Sequence, residues 1–317
     1  NRSAASFNDP VAAYQRYPAD AQAASRAFQL RSAQDPTFEL NDRDVAHARV
    51  GVIARPLSPG LLSFYGLRAE LDGHLAQAEQ AMLTADRMSR RDTVSQIWLI
   101  EHSVAKGDIP AAVRHYHAAM SVKPELIDTL VPILTSALSY PEVRAAVRPY
   151  IVMHTAWAPS LLAKASEVTG SADLAALVTP IAANLAADDL GYPKSSIIAA
   201  MAMDGAADTG WALAVKIVPG FNPAEFRTLA FSTATTDPRM GAMAWSLPQS
   251  DLITSSPLEG GALAAQVNQL GRGILAVRDM PVKPGVSYEF LQGLSYDAGA
   301  PKAQLTWSAD CAKRRGV

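Results

Sequence analysis

Cysteine is nearly missing from this sequence: one residue, Cys311, in a chain of 317. A single thiol excludes an intramolecular disulfide framework and a cysteine-based zinc site. Charge is also scarce, at 18% of residues, and balanced at 28 basic against 30 acidic side chains for a net charge of −2. With no cation excess to displace phosphate counterions, a general nucleic-acid binder is excluded and no nucleic-acid partner is expected. No run of 18 apolar residues occurs, so no segment has the sequence of a bilayer-spanning helix. The cations Lys313, Arg314 and Arg315 near the C-terminus would add only about 3 kcal/mol at an anionic surface, too little for anchoring alone. The apolar fraction is nonetheless 49%, far from the composition of a disordered chain and enough for a large core in one or two domains.

Catalytic signatures are lacking too. There is no Gly-x-Ser-x-Gly element for a serine hydrolase. Gly271-Arg-Gly273 lacks the third glycine of a phosphate loop and opens a strand-like run, not a helix. The six histidines are His47, His74, His102, His115, His117 and His154. Metal capture on one helix face needs ligands three or four apart, whereas His115 and His117 are two apart and diverge by about 200°. They are therefore expected as surface or turn residues. The carboxylate pairs Asp42/Asp44 and Asp188/Asp189 have the spacing of helix-end capping, not of a glycosidase pair. No histidine follows His154, so Cys311 has no nearby base to make it a nucleophile and is expected as a small buried hydrophobe. Neither a cofactor nor a metal is expected, and no residue is assigned a catalytic role.

What is present changes texture along the chain. Up to about residue 218 the sequence is rich in Ala, Leu, Glu, Gln and Arg, with apolar residues at three- and four-residue spacing. Beyond Pro219-Gly220-Phe221-Asn222-Pro223, short runs at 227–233, 243–247, 273–280, 286–294 and 303–308 alternate with Pro, Gly, Asp and Ser clusters. The pattern predicts an α+β chain of two domains. Residues 1–218 are expected to form helical repeats and 219–317 a small antiparallel β-sandwich of jelly-roll type.

A 34-residue shift relates two helical segments. It places Phe64 on Trp98, Tyr65 on Leu99, Ala69 on Ser103, Gly73 on Gly107, Ala78 on Ala112, Met82 on Tyr116 and Ala85 on Ala119. Two helices of about 14 residues fill that period, and one such pair cannot bury its apolar face alone. The pattern resembles the tetratricopeptide repeat, whose small positions match Gly66, Ala69, Ala78 and Ala85, then Gly107, Ala112, Tyr116, Ala119 and Pro124. Gln96 and Ile100 depart from it, standing where a bulky residue and a glycine are usual. An earlier unit, about 23–56, is degenerate. After Pro124 the period loosens, although 160–169, 172–187, 195–203 and 207–218 still have helical spacing. Two clear units and up to three divergent ones are expected, stacked as a helical solenoid.

From about Leu62 to Trp157 the chain is also similar to tetratricopeptide proteins of alphaproteobacterial, sphingomonad-type exopolysaccharide or capsule clusters. The residues that carry this are Ser89-Arg-Arg-Asp92, Ile97-Trp-Leu-Ile-Glu101, Arg114-His-Tyr116, Pro132-Ile-Leu134 and Tyr140-Pro-Glu-Val-Arg144, with Trp307-Ser-Ala-Asp-Cys311 fitting that group's terminal Trp-x-x-x-Cys element. The resemblance implies a periplasmic or membrane-associated location in the cell envelope and protein partners in a polysaccharide pathway.

By the repeat pattern, Ser63, Leu67, Glu70, Leu71, Ile97, Glu101 and Val104 face a partner groove that is mixed apolar and acidic. In the C-terminal part, strand alternation puts Trp307 with Ala303 and Leu305 on one face, expected as core. Trp245 and Tyr296 lie beside loops and are the candidate platform for stacking a sugar ring. The expected function is a non-enzymatic scaffold. The alternatives are a polysaccharide hydrolase or lyase with a site between the domains, and a carbohydrate-binding module on a helical spacer.

Overall fold

Helices begin where an Asp or Asn side chain can accept the first free backbone N–H groups. Asp9 receives Ala12 N, Asp20 receives Gln22 and Ala23 N, and Asn41 receives Asp44 N. Asp92 receives Ser95 N, and Asp108 receives Ala111 N. These caps open α1 (Pro10–Arg16), α2 (Ala21–Gln34), α3 (Asp42–Ala54), α6 (Thr93–Ala105) and α7 (Ile109–Val122). Between them, α4 (Pro59–Leu71) starts on a proline whose missing N–H costs nothing at that position, and α5 (Leu75–Met88) follows. The computed structural model describes residues 9–18, 20–35, 37–55, 57–186, 193–203, 206–226, 228–268, 271–280, 282, 285–296 and 304–309. Cys311, the Asp188/Asp189 pair and the C-terminal cations lie outside the described residues.

The chain divides into two compact units, residues 1–130 and 131–317. In the first, neighbours in sequence pack as pairs: α4 against α5, α6 against α7, and α5 against α6. The 34-residue period is visible in the backbone. Gly73 and Gly107 both adopt left-handed conformations, φ +80° and +72°, just past the ends of α4 and α6. Each turn closes with the same bond, His74 N to Ala69 O at 2.7 Å and Asp108 N to Ser103 O at 2.9 Å. Small residues sit where the paired helices meet. Ala78, Ala85 and Ala119 are fully buried, and a Cβ on Gly66 would lie 3.0 Å from Met82 Cε and 3.3 Å from the Ala78 carbonyl. Phe28, Leu61 and Phe64 centre the core of α1–α4, and Met82, Trp98 and Leu99 that of the following helices.

The second unit is helical through α9 (Pro141–Val152), α10 (Ala158–Val168), α11 (Ser171–Val178), α12 (Ala182–Ala186), α13 (Lys194–Met203) and α14 (Ala207–Ile217), with α8 (Ile127–Ser136) crossing the division. Trp157, Leu161, Leu162, Leu174 and Leu177 are buried in it. Arg144 is buried among them with every charge requirement met: it donates to the Leu138 and Ser139 carbonyls and to Asp173 Oδ1 at 2.7 Å. After the single turn α15 (Pro223–Phe226), the chain forms β1 (Ile253–Pro257) and β2 (Leu263–Val267), antiparallel with Ser255 opposite Ala265. Gly260 and Gly261, both at φ +82°, make the connection, and Phe231 N donates to the Gly261 carbonyl.

The fold is therefore mostly helical with a small antiparallel sheet of two strands among the described residues, where a β-sandwich was expected. Neither strand coincides with an expected run: of 227–233, 243–247, 273–280, 286–294 and 303–308 none forms a ladder where described, and 243–247 and 273–280 meet only in the isolated bridge of Ser246 and Val277. Alternating texture describes one strand's own backbone; it does not supply the neighbour that makes a layer. Tyr288, Phe290 and Leu291 are accordingly exposed, Leu291 by 81%. Trp307, expected in the core, is 43% exposed and rests on Phe290 at a ring-centroid distance of 4.5 Å.

Three substitutions test the repeat register by denaturant unfolding. Ala78→Leu should overpack the α4–α5 contact and lower stability by about 1–3 kcal/mol. Gly73→Ala and Gly107→Ala have open space for a methyl group. They should cost about 1–2 kcal/mol each, and equally, through backbone strain alone.

Candidate functional site

The residues expected to face a groove fall into three groups. Leu67, Glu70 and Leu71 of α4 line one cleft of about 190 Å³, together with Phe38, Glu39, Leu40, Phe64 and Arg68. Ile97, Glu101 and Val104 are exposed along α6, Ile97 by 37% and Val104 by 52%. Ser63 is fully buried and donates to the Gly60 carbonyl, so it presents nothing to a partner.

The cleft's wall is built by one arginine. Arg68 Nε meets both carboxylate oxygens of Asp72 at 3.0 and 3.1 Å, Nη1 donates to Leu40 O at 2.8 Å, and Nη2 reaches Asp42 at 3.2 Å. These bonds fasten the 38–42 segment to α4 and offset the guanidinium with two carboxylates. Glu39 and Glu70 remain as acidic groups of the cleft that make no direct ion pair among the described residues, although Arg68 also lies within the field of Glu39. Glu70 is aimed by its neighbour, because Trp98 Nε1 donates to Glu70 Oε2 at 2.7 Å and ties α6 to α4. The other side of the same indole stacks on His102 at 4.5 Å. His102 Nε2 lies 3.2 Å from Glu79 Oε1, which also receives Lys106. The Lys106 ammonium first, then His102, holds the Glu79 carboxyl below the usual carboxylate range.

Two further clusters of polar groups lie inside the helices, and sequence spacing anticipated neither. Gln96, the departure from the repeat pattern, is fully buried. Its Nε2 donates to Asp86 at 2.8 Å, which directs Oε1 at His115 Nδ1, also 2.8 Å away. The imidazole therefore carries its proton on Nδ1 and turns Nε2 toward Arg114 Nη2 at 3.5 Å. His115 is 2% exposed, not the surface residue expected. Asp44 is likewise more than a cap-region acid. It is 4% exposed and accepts Tyr14 OH at 2.7 Å and Arg31 at 3.5 Å, while Tyr14 Oη lies 2.9 Å from His47 Nδ1. Burial and the Asp44 hydrogen bond raise the Tyr14 phenol, which stays protonated and structural. Asp42, by contrast, is exposed and meets Arg68.

Of the two expected sugar-stacking residues, Trp245 is 6% exposed, its ring stacked on Phe231 at 4.5 Å. Burial removes it as an open platform. Tyr296 is 49% exposed on a segment outside helix and strand. Among the described residues, no three His, Cys, Asp or Glu side chains are grouped to hold a metal ion. The floor of the α4 cleft, Phe38 and Leu40, comes from a short connection whose sequence has no period to mark it. Gln96 did carry a signal: a polar residue in a large-hydrophobe position demands buried partners.

No protein-family model, curated protein or solved structure matches the chain, so the site is interpreted on its own geometry.

The buried imidazole makes stability depend on pH. Burial, opposed by Asp86 and reinforced by Arg114, lowers the His115 pKa below its ordinary value. The unfolded chain then binds a proton near pH 6.5 that the folded chain resists. The stability associated with neutral His115 is complete above that pH and lost as pH falls below it. Denaturant midpoints measured from pH 7.5 to 5 should fall, and His115→Asn should flatten part of that slope.

Proposed function

We propose that this chain is a non-enzymatic adaptor of the bacterial cell envelope. In this reading its helical repeats form a solenoid that holds an apolar, positively charged segment of a protein partner in exopolysaccharide or capsule assembly. One observation carries the binding part. Leu67, Glu70 and Leu71 converge on one cleft whose floor is Phe38, Leu40 and Phe64 and whose arginine is already offset by carboxylates. A partner that fits places an aliphatic or aromatic side chain on that floor and a Lys or Arg beside Glu39 and Glu70. Exposed Ile97, Glu101 and Val104 extend the same mixed character along α6. The envelope setting and the polysaccharide pathway rest on the resemblance of 62–157 to the capsule-cluster proteins. A direct glycan contact would fall to Tyr296, not to buried Trp245.

The test is affinity capture from envelope extracts with the wild-type chain and a Leu71→Asp/Ile97→Asp variant. Both side chains are exposed, so stability should stay within about 0.5 kcal/mol per site. The expected result is a protein retained by the wild type, released by added salt, and lost at least tenfold by the variant. Equal retention by both chains contradicts the reading. So does reproducible turnover of a glycan by the purified protein that is lost when one carboxylate is changed.

A further inference from the structure

Among the described residues of the second unit, Arg144 is buried and Arg148 and Arg278 are part-buried, and they differ in what they meet: Arg148 donates to the Leu177 and Ala176 carbonyls. Arg144 reaches a carboxylate, Asp173, at 2.7 Å. Arg278 reaches none among the described residues. Its Cζ lies over the ring of Phe226, 5.3 Å from the centroid, and over Trp245, 5.7 Å from that centroid. Nη1 donates to Thr228 O at 2.9 Å and Nη2 to Phe226 O. Those two bonds use two of the five guanidinium N–H groups. Nε is buried without an acceptor, and so is Nε1 of Trp245 beside it. Burial brings the guanidinium down to about 10. Two carbonyls and two aromatic faces steady a cation, but they leave its net charge without a carboxylate among the described residues and its buried Nε without an acceptor.

We propose that Arg278 is the anchor of an anion-binding site, in which the guanidinium, set against Phe226 and Trp245, receives a carboxylate group from a ligand. The chemistry favours a flat monoanion. A carboxylate matches the planar fork with two parallel hydrogen bonds. Among the described residues no second Lys or Arg shares these two rings, so a dianionic phosphate would keep an uncompensated charge beside them. The aromatic walls suit the apolar face of a small organic acid or sugar acid more than a bare hydrated ion. Trp245, too buried to stack on a sugar from outside, acts here as a wall of the cation's seat. The site is independent of the α4 cleft and of the adaptor reading.

The experiment is calorimetric titration of the full chain at low ionic strength and pH 7. Sodium acetate and sodium glucuronate serve as carboxylate probes, with glucose and inorganic phosphate as comparisons. Saturable binding of the carboxylates, absent for glucose and weaker for phosphate, is expected. Glucuronate at least tenfold tighter than acetate would identify a sugar acid as the source, and equal affinities a simple carboxylate. Arg278→Gln should abolish binding. Arg278→Lys, which keeps the charge but loses the fork, should weaken it at least fivefold with a helical circular-dichroism spectrum unchanged. Three results overturn the proposal: carboxylates that bind no better than glucose, phosphate that binds more tightly than either, or affinities unchanged in both variants. The first two need only the wild-type chain and stand even if a variant fails to fold.

Discussion

Close approach of paired helices is the constraint on which the first unit depends. At Gly66 the facing helix is so near that a methyl group would touch both Met82 and the Ala78 carbonyl. Ala78, Ala85, Ala112 and Ala119 keep that spacing along α5 and α7. Small side chains bury little apolar area each, so a pair of such helices gains stability from being covered by the next pair. The left-handed glycines at 73 and 107 turn the chain back at identical points and hold the period. From this follows the placement of everything larger. Phe64, Trp98 and Leu99 fill the spaces between pairs, and the outward side of α4 and α6 is left to residues with no packing duty.

Polar groups then decide how the pairs are fixed relative to one another within this unit. Trp98 to Glu70 links α6 to α4, and Asp86 to Gln96 to His115 links α5, α6 and α7. Both chains of contacts are specific because their alternatives are costly: a displaced helix would leave a buried amide, imidazole or indole without a partner. The same bond that fixes Trp98 holds Glu70 at the edge of the α4 cleft. Packing and the charge of the cleft are therefore coupled at that residue. Its removal would alter packing as well as charge, which is why exposed Leu71 and Ile97 are the cleaner probes of binding.

The helical part was legible because its signals are local. Capping aspartates, turn glycines and three- and four-residue apolar spacing all act within one or two turns, and the 34-residue shift adds a second, independent period. Gln96 and Ile100 stood out as departures. For Gln96 the physical reason is now visible, since His115 on the next helix and Asp86 on the previous one make an amide the fitting side chain. The burial of His115 escaped notice because a two-residue spacing was weighed only for metal binding, where it fails. Phe38 and Leu40 were missed because an aperiodic connection gives no indication of the surface it will line. In the C-terminal part the alternating runs did not locate the strands: the ladder forms at 253–257 and 263–267, between the expected runs, while 243–247 and 273–280 meet only in the isolated bridge of Ser246 and Val277. Trp245 was read as open because it adjoins a loop; Phe231 and Arg278, distant in sequence, cover its faces.

The central claim is that the outward face of α4 and α6 receives a protein segment. A photo-crosslinking residue placed singly at Leu71, at Ile97 and, as a control, at exposed Arg87 of α5 tests it most directly in native envelope extracts. The account predicts one common protein adduct from positions 71 and 97 and none from position 87, with peptide mapping that places Lys or Arg beside the crosslinked residue. Adducts from position 87 alone, or none from either groove position under conditions where the wild-type chain captures its partner, would contradict it.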